Sequence, residues 1–188
     1  LDDARPFFLA SNRFVPRKNL AGLLAAYALY RRRQPRGWRL VLLGSGPQES
    51  ALKGLVVTEA IPDVVFAGFR QLSDLPAYLA RAGAFVHPAL AEPWGLVVNE
   101  AMAAGLPVLV SRSVGCARDL VHEGINGFTF DPRDPEDLCG KMERVSGQPA
   151  LADQMGSKSR HLIAAYGPAH FAKNLWQAYE CGCRRRGP

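Results

Sequence analysis

The chain has 188 residues, of which 48% are apolar and 21% charged, a composition typical of one globular domain with its own core. No apolar run approaches the roughly 18 residues that a membrane-spanning helix needs, so no transmembrane helix is predicted. The net charge of +6 suits phosphate-bearing ligands, anionic membranes or nucleic acid, but basic and aromatic residues are not interleaved as in nucleic-acid surfaces, so we expect no nucleic-acid partner.

Short apolar runs alternate with stretches of helical periodicity along the whole chain. The runs predict six strands, at 7–10, 39–43, 64–66, 84–86, 107–110 and 127–130. Helices are predicted at about 20–30, 48–57, 73–79, 95–104, 116–122, 135–146, 149–165 and 168–181, the third with Ser73 and Asp74 as N-cap candidates. Strands that alternate with helices predict an α/β fold, a Rossmann-like parallel sheet of about six strands with helices on both faces.

Residues with the chemistry of a ligand site follow the predicted strands rather than precede them. Strand by strand, they are the run 11–19 with Arg13, Arg17 and Lys18, the run 44–47 with Gly44 and Gly46, the Gly-Phe-Arg run at 68–70, the Glu-Pro-Trp-Gly run at 92–95, and Ser111, Arg112 and Gly115. The carboxyl ends of parallel strands share one edge of a sheet, so these residues are expected to meet there. Cations, close-approach glycines and the N-terminus of the helix after Gly95 together predict a diphosphate site.

Each signal has another interpretation when it is taken alone. Arg13 and Lys18 could be surface charges, the Gly44-Ser-Gly46 run a plain tight turn, and Glu92 a carboxylate stabilised by a helix dipole. Their joint placement on one edge favours the ligand site, and there we expect the side chains of Arg13 and Lys18 to be exposed and away from the core.

The remaining charges and the cysteines suggest no further chemistry. The arginines at 31–33 and 184–186 are expected to be a solvated helix end and a frayed tail. Cys116, Cys139, Cys181 and Cys183 show neither zinc spacing nor a disulfide framework, which favours a reducing, cytoplasmic location. We expect no metal and no cofactor.

The run 92–108, EPWGLVVNEAMAAGLPV, resembles the E-x7-E signature of family 4 (group 1) retaining glycosyltransferases of the GT-B fold. That family also places R-x4-K after the first strand, GxGP after the second and a Gly-Phe-Arg loop after the third. These elements stand here at Arg13 to Lys18, 44–47 and 68–70, and Asn-Gly-Phe at 126–128 resembles a further family element. The match covers residues 7–180 in order and implies the C-terminal, donor-binding half of a GT-B enzyme.

The resemblance also implies roles for individual residues. Arg13 and Lys18 would hold the diphosphate as the glycosidic bond breaks, and Glu92 would accept hydrogen bonds from the donor sugar. Glu100 would bind the ribose hydroxyls. The remaining donor-binding residues would be Gly44 and Gly46, Phe69 and Arg70 around the base, Pro93 and Trp94, and the backbone amides of Gly95, Leu96 and Val97 at the phosphates.

The sequence departs from the family pattern in three places. His87-Pro-Ala-Leu-Ala precedes Glu92 where relatives often have Pro-Ser, and Val-Gly-Cys stands at 114–116 where they have Gly-Gly, which concerns the sugar contacts. The N-terminal acceptor domain of the GT-B fold is also missing, and Leu1-Asp2-Asp3 reads as a cut inside a longer protein. Residues 1–188 are therefore expected to be a donor-binding domain that is inactive in transfer by itself.

With the missing domain, the resemblance implies transfer of a hexosyl-type sugar from a nucleotide-sugar donor to a sugar or lipid-linked acceptor. We expect this reaction in polysaccharide or lipopolysaccharide synthesis. The expected location is the cytoplasm, and a peripheral position on the cytoplasmic face of the membrane is the alternative.

Other functions remain as alternatives. A nicotinamide or flavin enzyme would carry its glycines after the first strand, whereas here they follow the second. A glycosidase would need two carboxylates that face each other, and Glu92 and Glu100 lie on either side of a helix start. A phosphorylase would need a pyridoxal-binding lysine, and the sequence contains no motif for one. A non-catalytic nucleotide-sugar-binding module and a GT-B nucleotide-sugar epimerase stay open.

Overall fold

The computed structural model describes residues 5–184. Its strands are β1 (Phe7–Ser11), β2 (Arg39–Leu43), β3 (Val64–Gly68), β4 (Ala84–His87), β5 (Val108–Ser111) and β6 (Gly127–Phe130). Its α-helices are α1 (Leu20–Arg33), α2 (Glu49–Thr58), α3 (Leu75–Leu79), α4 (Leu96–Ala103), α5 (Ala117–Leu120), α6 (Pro135–Ser146), α7 (Pro149–Ile163) and α8 (Pro168–Arg184). Short 3-10 turns lie at Pro16–Lys18 and Ala164–Tyr166.

The six strands form one parallel sheet in the order β3-β2-β1-β4-β5-β6. The chain builds the sheet outward from β1 to β3 and then returns to add β4 on the other side of β1. Between β1 and β4 the order reverses, and loops that leave these two strands in opposite directions open a crevice at their carboxyl ends. The predicted parallel α/β sheet is confirmed.

Alternating residues of the strands feed two separate hydrophobic cores. Phe8 and Ala10 of β1 pack with α1, α2, α6 and α7 on one face of the sheet. Phe7 and Leu9 pack with α3, α4 and α5 on the other face. Because both faces of the central strands are covered, these strands are mostly apolar, and this explains why short apolar runs marked them in the sequence. The edge strand β3 is less covered, and Val65 is 36% exposed.

The expectation of a solvated arginine run at 31–33 is wrong for Arg31. Its side chain is 5% exposed and donates hydrogen bonds to the Asp63 carboxylate at 2.7 Å, the Pro35 carbonyl at 2.7 Å and the Tyr27 hydroxyl at 3.1 Å. A guanidinium can be buried when such partners take up its donors. Arg32 and Arg33 are exposed as expected. Of the predicted tail at 184–186, Arg184 is the last residue of α8, and residues 185–186 lie outside the described residues.

Smaller differences concern two helix ends. Asp74 is the residue before α3, but its side chain makes no capping hydrogen bond, because its backbone is already helical. The predicted helix at 116–122 is shorter, since Val121 adopts an extended conformation after Leu120.

In the last helix, α8, residues 169–182 are exposed, among them the aromatic residues Phe171, Trp176 and Tyr179. Among the described residues, no helix is both long and apolar enough to cross a membrane.

Candidate functional site

Backbone hydrogen bonds join the loops that leave β1, β2 and β3. The amide of Asn12 donates to the Leu43 carbonyl at 2.9 Å, and the amide of Gly44 donates to the Gly68 carbonyl at 2.9 Å. A third bond connects the Phe14 amide with the Ser45 carbonyl at 2.8 Å. The three loops therefore form one continuous wall at the carboxyl edge of the sheet.

Gly44 makes this close packing of loops possible. Its φ of 123° lies in a region that side chains disfavour, and a Cβ at this position would overlap the carbonyl oxygen of Asn12. The glycine is thus required by the approach of two backbones. The sequence interpretation as a plain tight turn does not account for this contact with the β1 loop.

A cavity of about 850 Å³ lies beside this wall, between the loops that leave β1, β2 and β3 and the first turn of α4. Seven residues named from the sequence line it: Arg13, Lys18, Gly44, Gly46, Phe69, Arg70 and Val97. The described lining includes three arginines and one lysine and contains no acidic residue. Such a cavity attracts a compact anion.

Lys18 and Glu92 meet at this end of the sheet. The Lys18 ammonium donates a hydrogen bond to the Glu92 carboxylate, and the two side chains are 13% and 14% exposed. Arg17 lies near the same oxygen, with its Nη1 3.6 Å from Glu92 Oε2. Burial works against ionisation of Glu92, but the hydrogen bond and charge of Lys18 outweigh it, so the pKa of the carboxyl falls below its ordinary value. The expectation that Lys18 is exposed is therefore wrong.

Neighbouring loops fix the positions of these two residues. The Glu92 carbonyl accepts from the Gly115 amide at 2.9 Å, and the Leu90 amide donates to the Arg17 carbonyl at 2.8 Å. The side chain of Asn19 donates to the Pro88 carbonyl at 3.2 Å and also binds the loop after β6. The lysine and the carboxylate thus belong to a scaffold with little freedom to separate.

Helix α4 begins beside the cavity. Gly95 precedes it with a φ of 99°, and Val97 of its first turn lines the cavity. The amides of Leu96 and Val97 lie in the first turn and have no partner within the helix, as at any helix start. They are placed where they can bind an anion.

Other predicted residues lie outside the cavity lining. The indole nitrogen of Trp94 donates to Asn99 Oδ1 at 3.1 Å, and Pro93 and Leu96 are both exposed. Glu100 is exposed further along the same helix, and partial desolvation raises the pKa of its carboxyl. The structure does not bring Glu100 to the Lys18–Glu92 pair.

His87, at the end of β4, is a buried neighbour of this pair. Its ring is fully buried beneath Gly95, and neither ring nitrogen has a hydrogen-bond partner within the described chain. Burial, reinforced by the positive charge of Lys18, lowers the pKa of His87 to about 4. Its imidazole is therefore neutral near pH 7.

Arg17 and Asn12 also line the cavity, although the sequence assigned a role to neither. Arg17 stood in the cationic run after β1, immediately before Lys18, and this position was the available signal. Asn12 stands directly before Arg13 and could have been found by the same argument from the end of the strand.

A second cavity, of about 480 Å³, lies at the opposite, amino edge of the sheet, where Pro6, Gly83 and Pro107 line it. In residues 5–184, no group of three or more His, Cys, Asp and Glu side chains is arranged to hold a metal ion.

Known proteins resemble this chain in sequence and in fold. A family model described as glycosyl transferases group 1 matches residues 1–162. The chain is 36% identical over 120 residues to an uncharacterized glycosyltransferase, YqgM, of Bacillus subtilis, a match that covers 63% of this chain and 33% of that protein.

Two solved structures share the fold. Sucrose-phosphate synthase from Thermosynechococcus elongatus superposes with a TM-score of 0.83 and 30% identity, over 97% of this chain and 47% of that one. HepE from Anabaena, in complex with UDP-glucose, gives a TM-score of 0.75 and 26% identity, over 85% and 44%. The chain thus spans less than half the length of each of these three proteins.

Proposed function

This chain belongs to the group 1 glycosyltransferase family, and on that premise we propose that its cationic cavity binds a nucleoside-diphosphate sugar. With an acceptor-binding domain outside this sequence, it would transfer the sugar to an acceptor with retention of anomeric configuration. The observation that carries the proposal is the lining of the cavity, in which Arg13, Arg17, Lys18 and Arg70 occur without any acidic residue.

The charges of the cavity match those of a diphosphate, which carries about two negative charges. Arg13 is exposed and free to reach a phosphate oxygen, while Lys18 is held beside Glu92. The amides of Leu96 and Val97 add donors from the start of α4. The related HepE structure is a complex with UDP-glucose, which supports the same class of donor for this chain.

The proposed chemistry follows from these charges. As the bond between the anomeric carbon and the diphosphate oxygen breaks, negative charge grows on the leaving group, and Arg13 and Lys18 stabilise it. Glu92 neutralises part of the Lys18 charge and offers its second oxygen to the hydroxyls of the donor sugar. The acceptor hydroxyl then attacks from the face that the leaving group vacates, and its proton passes to the departing diphosphate.

Binding of nucleoside diphosphates tests the proposal. UDP, GDP and ADP are compared with their monophosphates by thermal unfolding and calorimetry; at least one diphosphate should stabilise the fold, by about 2.7 kcal/mol at a concentration a hundred times its Kd. Arg13→Ala should weaken this binding, whereas Arg36→Ala, which removes an exposed charge before β2, should not. Equal binding of mono- and diphosphates, or no binding of either, would refute the proposed site.

Transfer should require the acceptor-binding domain. An acceptor has to be held within about 3–3.5 Å of the anomeric carbon, and domain closure ordinarily supplies that position and excludes water. We therefore propose that residues 1–188 alone hydrolyse a bound donor slowly and do not glycosylate sugar or lipid-linked acceptors. Mass spectrometry of the products distinguishes the two outcomes, and robust transfer would contradict this part of the proposal.

A further inference from the structure

Asn12 is a buried polar residue at the switch point of the sheet. It follows β1 directly, its backbone is held by the hydrogen bond to Leu43, and only 8% of the residue is exposed. Neither Nδ2 nor Oδ1 of its side chain has a hydrogen-bond partner within the described chain. The amide has therefore lost its contacts with bulk water and gained none from the protein.

Such a residue is costly in a folded protein unless something else completes its hydrogen bonds. Buried side-chain amides are ordinarily bonded, because their desolvation is otherwise uncompensated. Asn12 lines the cationic cavity, so a ligand in that cavity is well placed to supply the missing partners. His87 also has unpaired nitrogens, but it does not line the cavity.

The two unpaired atoms indicate the chemistry of the missing partner. Nδ2 donates hydrogen bonds and Oδ1 accepts them. A phosphate oxygen accepts only and would leave Oδ1 unpaired, and the neighbouring Arg13 and Lys18 already provide donors for phosphate. A hydroxyl, or the amide edge of a nucleobase, both donates and accepts and would satisfy both atoms.

The position of Asn12 indicates which part of a donor would provide that group. Its backbone carbonyl oxygen lies against Gly44, which lines the same cavity on the side formed by the loops after β2 and β3. The Lys18–Glu92 pair lies on the other side, at the loop after β4. If the diphosphate of a donor lies at Arg13 and Lys18 and its sugar lies at Glu92, its nucleoside lies on the side of Gly44.

We propose that Asn12 recognises the nucleoside half of the donor, through a ribose hydroxyl or the amide edge of the base. This inference rests on the proposed function and deepens it. In this proposal Asn12 distinguishes a nucleoside diphosphate from a bare diphosphate, and the cations bind the phosphates of both.

The test uses Asn12→Ala with three probes: inorganic pyrophosphate, ribose 5-diphosphate, and whichever of UDP, GDP and ADP binds the wild-type chain best. The variant should bind the nucleoside diphosphate about tenfold more weakly, equivalent to about 1.4 kcal/mol, and pyrophosphate as well as the wild type does. An equal loss with ribose 5-diphosphate identifies the ribose as the partner, and a loss confined to the nucleoside diphosphate identifies the base.

The stability of the free protein separates recognition from packing. Because the variant removes an unpaired buried amide, its melting temperature without ligand should equal or exceed that of the wild type. Asn12→Ser serves as the milder variant if alanine leaves too much space, and Asn174→Ala, on the exposed face of α8, is the matched control.

Several outcomes overturn the inference. They are unchanged binding of the nucleoside diphosphate, an equal loss for pyrophosphate, or a loss seen only when a donor sugar is attached. If the wild-type chain binds none of the probes, the proposed function fails first and the inference with it. If the wild type binds and the variant is unaffected, the inference alone fails.

Discussion

The Lys18 ammonium is hydrogen-bonded to the Glu92 carboxylate and so ties the loop after β1 to the loop after β4. These loops lie on the two sides of the switch point, and the residues are 74 positions apart in sequence. The contact makes a cation and a carboxylate, with separate proposed roles toward diphosphate and sugar, into one coupled unit. It also means that removal of either residue acts on the fold as well as on the ligand.

Lys18→Ala should therefore lower both stability and binding. Loss of the ammonium leaves the largely buried Glu92 carboxylate without its closest cation, and the free energy of unfolding should fall by about 1–3 kcal/mol. The double variant Lys18→Met/Glu92→Gln should recover most of this stability but not the affinity for a nucleoside diphosphate. Urea unfolding and calorimetry measure the two effects. If the stability changes of the single Lys18 and Glu92 variants add up strictly to that of the double variant, the pair is not coupled.

Arg31→Ala should destabilise the fold, whereas Arg32→Ala should not. Arg31 is buried and holds Asp63, Tyr27 and Pro35, so its removal should cost about 1–3 kcal/mol in lost hydrogen bonds. Arg32, the next residue of the same helix, is exposed and should change stability by less than about 0.5 kcal/mol. Chemical denaturation of the two variants compares them directly, and equal stabilities would contradict the role of the Arg31 network.

These pairs show where the sequence was sufficient and where it was not. The strands were predictable because their residues are mostly apolar, as expected where a sheet is covered on both faces. The edge that carries Arg13, Gly44 and Glu92 followed from parallel topology. The helical periodicity of the sequence did not indicate that Arg31 would be buried and Arg32 exposed. Its partner Asp63 is 32 positions away, and only the packing of β3 beside β2 brings it close. Lys18 was misjudged as exposed for the same reason, since Glu92 covers it from another loop.

Two glycines offer opposite outcomes for the same substitution. Gly44→Ala should destabilise the chain by about 1–3 kcal/mol, because its φ is positive and the new methyl group would overlap the Asn12 carbonyl. In Gly54→Ala, in α2, the new methyl group has no neighbour within 4 Å. This variant should raise stability by about 0.5–1 kcal/mol, because alanine has the higher helix propensity. Melting temperatures of the two variants, measured side by side, give the comparison. A neutral Gly44→Ala would argue against the close approach of the two loops.

His87 should make the fold sensitive to acid. Its pKa is lowered to about 4 in the folded chain, whereas an unfolded histidine titrates near 6.5. Between these values the unfolded state takes up a proton that the folded state does not, so stability should fall as the pH drops from about 6.5 to about 4, by at most about 3 kcal/mol. Above pH 7 His87 should contribute no pH dependence.

His87→Phe should remove this part of the pH dependence, while His170→Asn, at an exposed position of α8, should preserve it. The free energy of unfolding at pH 7.5, 6.0 and 5.0 supplies the measurement. Glu92, whose pKa is below its ordinary value, adds to the loss of stability only as the pH falls below about 4.5, so it leaves this window largely unaffected. An identical pH profile for wild type and His87→Phe would rule out the histidine as its source.

The most direct test of a donor site at the carboxyl edge is an NMR titration of the 15N-labelled chain with UDP, GDP and ADP. At least one of them should shift the amide signals of Arg13, Gly44, Gly46, Leu96 and Val97, around the cationic cavity. The signals of Gly83 and Gly105, at the cavity on the opposite edge, should stay in place. Shifts confined to that opposite cavity, or no shifts with any of the three nucleotides, would contradict the account.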